Sequence, residues 1–142
     1  MTGLELHLRV MGIIMLLLVA MNLHIPKRFH WKQEMAGLSL LNRQIFQVHA
    51  AFICIILALF AALLLTLTRE LLEPTKLARG ILGGMAAFWF CRMICQWFVY
   101  DSRTWRGDRL LTAMHVIFSG VWVYFVATLG FALWRSCAGP RL

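Results

Sequence analysis

Arg92, Gln96 and Tyr100 are spaced i, i+4 and i+8 within "FWFCRMICQWFVYD", residues 88–101, a stretch apolar enough for hydrocarbon. On a helix the three share one face. A guanidinium keeps its charge and offers a planar fork of donors that suits carboxylate or phosphate. The chain holds four long apolar runs, and none contains an aspartate or glutamate. Arg92 precedes Asp101 by nine residues, about 13 Å along a helix, near the middle of an apolar layer of about 30 Å. Burying it there costs about 2.5–3.5 kcal/mol on insertion scales. Its expected partner is Asp101 or Asp108 folded back from a helix end, or an anion from outside the chain, such as a lipid phosphate or a substrate carboxylate.

Other polar residues fall on the same side of the membrane. Thr112, His115, Ser119 and Trp122 form a second stripe, and Asn42 and His49 share a third face. If these stripes face inward they make a pocket lined by Arg92, Gln96, His49, His115 and Tyr100, with Arg43 and Asp101 at its edge. Such a pocket suits an amphipathic ligand with an anionic or polar head, a lipid or a quinone-like molecule. A histidine would serve as general base if a reaction occurs. The plainer account makes Arg43, Tyr100 and Asp101 interfacial anchors and the two histidines hydrogen-bonded packing residues. His49 and His115 lie at similar depth on different runs, which raises axial ligation of a b-type haem as a lesser alternative. Cys91 and Cys95 share a helix face but lack further ligands, so no metal site is expected. Phosphate-loop, GxSxG and HExxH motifs are absent. The sequence therefore names no reaction and no cofactor.

The elements that must hold these residues are membrane helices. The chain has 142 residues, one domain's worth, of which 61% are apolar and 14% charged. So small a soluble domain cannot hide that much apolar surface. Runs at roughly 8–25 (ended by Pro26), 45–67, 80–100 and 110–134 reach the length of a span, and backbone in lipid must satisfy its own hydrogen bonds. The reading is an all-α antiparallel four-helix membrane bundle, with residues 26–44 as an interfacial loop in which Trp31, Met35, Leu38 and Leu41 have helical spacing. A second loop covers 68–79, helix-friendly around "RELLEP". The first run resembles a signal peptide only in its positive flank, since "AMNLHIPKRF" offers no small-residue cleavage site. Gly80, Gly84 and Ala87, and Ala51, Ala58 and Ala62, give small faces for close helix approach or for a homodimer. Lysine and arginine divide six against seven between the two sides, so the positive-inside rule assigns no orientation.

The net charge of +8 falls between and beside apolar runs, where it meets anionic headgroups rather than nucleic acid. The stretches "LSLLNRQIFQVHAAF" (38–52) and "RMICQWFVYDSRTWRGDRLLTAMHVIF" (92–118) resemble a family of small uncharacterised bacterial membrane proteins with four helices. The resemblance covers most of the chain from about residue 24. It implies a multi-pass protein of the bacterial inner membrane and supplies no catalytic roles. Two functions follow as expectations: a ligand-binding pocket, or a non-enzymatic accessory subunit that docks on a partner membrane protein.

Overall fold

The computed structural model describes residues 2–28, 35–100 and 107–138. These form α1 (Gly3–Arg28), a short 3-10 turn (Met35–Gly37), α2 (Leu40–Thr66), α3 (Thr68–Leu72), α4 (Lys76–Phe98) and α5 (Arg109–Ala138). Four helices are long and apolar enough to cross a membrane, with mean hydropathies of 2.0, 2.8, 1.3 and 2.0 in chain order.

Each long helix begins earlier than its apolar run, because a side chain caps it. The orphan N–H groups of a helix's first turn need acceptors. Thr2 Oγ1 accepts from Glu5 N at 3.3 Å while Glu5 Oε2 accepts from Thr2 N at 3.1 Å, a reciprocal capping box that starts α1 at Gly3. Ser39 caps α2 through Asn42 N, and Thr75 caps α4 through Ala78 N. Asp108 Oδ1 accepts from Leu110 N at 2.8 Å and Leu111 N at 3.1 Å at the start of α5, just after Gly107, whose φ of 101° favours glycine. The expected loop at 26–44 is shorter at both ends: residues 40–44 belong to α2, and α1 continues through Pro26 to Arg28. Proline's fixed φ is helical, and near a helix end it removes only one donor. Residues 29–34, including Trp31, lie outside the described residues.

The chain packs as two compact units, Leu8–Thr68, and Met1–His7 with Arg69–Leu142. In the first, Leu8, Met11, Met15 and Leu18 form the buried stripe of α1, and Leu57, Ala61 and Leu64 that of α2. The close approach is at Gly12. A Cβ placed there would lie 2.8 Å from Leu65 Cγ and 3.3 Å from the Ala61 carbonyl oxygen. Close packing within the chain does not use the small-residue faces read from sequence: a Cβ at Gly80 or Gly84 meets nothing within 4 Å, and the buried alanine of α2 is Ala61 rather than Ala51, Ala58 or Ala62. Gly12→Leu is therefore expected to cost about 1–3 kcal/mol by overpacking, since Leu65 can swing aside but the Ala61 carbonyl cannot. Unfolding in mixed micelles checks this, with Gly80→Leu as the substitution expected to change little.

The second unit pairs α4 and α5 in antiparallel fashion. Arg79 Nη2 donates to the Ser136 carbonyl at 2.7 Å at one end, Trp89 meets Trp122 and Phe125 in the middle, and Gln96 meets His115 at the other end. The buried positions recur every three or four residues, Leu82, Met85, Trp89, Met93 and Gln96 against Trp122, Phe125, Leu129 and Ala132. This is the spacing of knobs-into-holes seams.

Candidate functional site

The stripes on α4 and α5 face each other within the second unit. Trp122 is the hub. Its ring stacks on Trp89 (centroids 4.9 Å apart, planes at 19°) and on Phe118 (5.8 Å, 9°). Trp89 in turn takes the edge of Phe125 at 4.7 Å. Offset stacks and edge contacts of this kind add to packing because ring faces are negative and ring edges positive.

The Arg92 guanidinium carbon lies 5.1 Å from the centre of the Trp122 ring and 5.6 Å from that of Tyr100. Both are within the range of cation–π attraction, which reaches about 2 kcal/mol when desolvated. These ring faces are its neighbours among the described residues. Asp108 is engaged elsewhere, as the cap of α5, and Asp101 lies outside the described residues. Arg92 Nη1 is buried and has no hydrogen-bond partner among the described residues.

Gln96 is 6% exposed and joins both helices. Trp122 Nε1 donates to Gln96 Oε1 at 3.4 Å, and Gln96 Nε2 lies 2.8 Å from His115 Nδ1. An indole N–H can only donate, so the atom that meets it must be the amide oxygen. The amide nitrogen then faces His115, Nδ1 must accept, and the proton of a neutral ring sits on Nε2. Trp97 Nε1 donates to Ser119 Oγ at 3.3 Å one turn along. Gln96→Leu leaves a donor on Trp122 and an acceptor on His115 unpaired. Intramembrane hydrogen bonds are worth about 0.6 kcal/mol on average and about 1.7 at most. The substitution is expected to cost about 1–2 kcal/mol of unfolding free energy, measured in bicelles.

The remaining candidates belong to the other unit. His49 is exposed and its Nδ1 donates to the Ile45 carbonyl of its own helix at 2.8 Å. Arg43 is half-buried, with its Nε enclosed and lacking a partner among the described residues. The structure thus gathers Arg92, Gln96, Tyr100 and His115, and holds His49 and Arg43 in a separate unit. The aromatic content that the sequence places at this end includes Trp89, which the structure makes part of the Trp122 stack; sequence reasoning passed over Tyr124. That tyrosine hydrogen-bonds His7, with Nδ1 and the hydroxyl 3.0 Å apart. The signal for this pair is faint: a lone histidine near the chain's start and a lone tyrosine deep in the last span.

Fold and site together define an all-α multi-pass membrane protein with a cation held between aromatic rings. No protein-family model, curated protein or solved structure matches the chain.

Proposed function

We propose that this protein binds, at Arg92, an amphipathic molecule with an anionic head, such as a lipid phosphate or carboxylate. The observation that carries the reading is the enclosed Nη1 of Arg92, which has no partner among the described residues, on a guanidinium held by two ring faces. Stacking on rings satisfies the charge in part, yet it uses none of the N–H donors, which remain suited to a bidentate anion. Among the described residues neither α4 nor α5 contains an aspartate or glutamate. The Tyr100 hydroxyl, half-exposed at the end of α4, is a second donor for the head. Gln96 and His115 act by position: Gln96 accepts from Trp122 and is itself held by His115, which sets the ring on which Arg92 rests. The resemblance of residues 38–52 and 92–118 supports a bacterial inner-membrane setting.

Native mass spectrometry from nanodiscs tests the proposal. Nanodiscs mixing phosphatidylglycerol with phosphatidylethanolamine should yield a chain that retains phosphatidylglycerol. Arg92→Gln should lose it, and Arg92→Lys, a point charge without the fork, should retain part of it. Equal retention by the wild type and Arg92→Gln would overturn the reading. So would a stoichiometric partner chain released by the same substitution, which is the accessory-subunit outcome.

A further inference from the structure

A cleft of about 450 Å³ lies in the second unit, away from Trp122 and its rings. One face of α5 forms its floor: Tyr124, Thr128, Phe131 and Arg135, spaced i, i+4, i+7 and i+11. The first turns of α1 form its wall through Leu4 and His7. The volume lies within the range of small-molecule sites, about 300–1,000 Å³. Such sites are mostly apolar with a few placed polar groups, as here.

The polar groups of the lining are His7, Tyr124, Thr128 and Arg135. Tyr124 and His7 are bound to each other twice, through the hydroxyl and Nδ1 at 3.0 Å and through the hydroxyl and the His7 carbonyl at 3.3 Å. The phenol can give its proton to one of these acceptors at a time, and in either case it ties the two helices together. Nε2 is left as the ring's other hydrogen-bonding atom, and Arg135 contributes five N–H donors. The acid nearest in sequence, Glu5, has an oxygen on the Thr2 N–H of its own helix cap. From Tyr124 to Arg135 the floor runs about 16 Å, with Phe131 between.

We infer that this cleft is a second amphiphile site, which takes a single apolar chain carrying one anionic head, a carboxylate or phosphate monoester. The head lies at Arg135 and the chain lies along Phe131 and Leu4 toward the Tyr124–His7 pair. This inference does not depend on the reading of Arg92.

The test uses the full chain in nanodiscs of zwitterionic phosphatidylcholine, with oleate, oleyl alcohol and inorganic phosphate as probes. It is run on the wild type and repeated with Arg92→Leu, which removes the other anion receptor. In both backgrounds oleate should bind saturably, with oleyl alcohol and inorganic phosphate each at least tenfold weaker. Arg135→Gln, which removes the cation, and Ala127→Trp, which fills the cleft without touching its polar groups, should each weaken oleate at least tenfold. Unchanged affinity in both variants overturns the inference, as does inorganic phosphate binding as tightly as oleate, which would mark a site for a soluble anion. Oleate binding that vanishes with Arg92→Leu alone would assign all of it to the other site.

Discussion

Trp122→Ala is expected to be the most damaging single substitution in the second unit, with a loss of about 3 kcal/mol or more. The side chain is 5% exposed, and four interactions end at once: the stacks on Trp89 and Phe118, the ring face under Arg92, and the N–H donated to Gln96. Large-to-small aromatic substitutions in cores cost about 3–5 kcal/mol. In a bilayer the transfer part of that cost shrinks, because lipid tails are as apolar as the core. The packing part remains, and here it includes a guanidinium deprived of a ring and an amide oxygen deprived of its donor. Trp122→Phe restores a stacking surface but not the N–H, and is expected to recover about half the loss. Reversible unfolding in mixed micelles measures both. A loss below about 1 kcal/mol for Trp122→Ala would mean that the cluster does not hold α4 to α5.

The second large effect is on binding rather than on stability. Arg92→Leu removes a charge whose burial costs about 2.5–3.5 kcal/mol, and it also removes two cation–π contacts worth up to about 2 kcal/mol each. The terms nearly cancel, so the unfolding free energy is expected to stay within about 1 kcal/mol of the wild type while the bound anionic lipid is lost. A double-mutant cycle between Arg92→Leu and Trp122→Phe separates the contributions. If Arg92→Leu instead costs more than about 3 kcal/mol, and Asp101→Asn reproduces the cost without additivity, the arginine is half of an internal ion pair. A buried cation stripped of its counter-ion is what makes such a loss large. The ligand-binding reading would then fail.

The sequence made the four spans legible because length and hydropathy alone identify them. Of the three stripes read from spacing, Gln96 meets His115 and Trp122, and Arg92 lies over Trp122, while Asn42 and His49 belong to the other unit. Two things were not legible. Helix starts were set by capping side chains, Thr2, Ser39, Thr75 and Asp108, which are polar and lie outside the apolar runs. Arg92 was expected to meet Asp101, Asp108 or an anion from outside the chain; among the described residues it meets ring faces, and a tryptophan in a membrane span carries no mark that separates a cation's seat from lipid-facing bulk. Gly12 was hidden for a similar reason: close packing there depends on which residue of another helix arrives opposite, and that is not a local property.

One pattern among the hydrogen bonds bears on how the chain enters the membrane. Asn22 donates to the Leu18 carbonyl, His49 to that of Ile45 and Thr66 to that of Ala62, each to its own helix one turn back. These side chains are satisfied before any neighbour exists, so α1 and α2 can leave the ribosome and partition into lipid singly. By contrast α4 has the lowest hydropathy of the four spans, 1.3, and its two costliest groups, Arg92 and Gln96, find their partners beyond the helix, chiefly on α5. The third span is therefore expected to commit to the bilayer only when the fourth has been synthesised, the two entering as a pair. A nascent chain cut after Phe98 should show poor membrane insertion of α4, and extension to Ala138 should restore it. That outcome would make biogenesis sequential for the first half of the chain and concerted for the second.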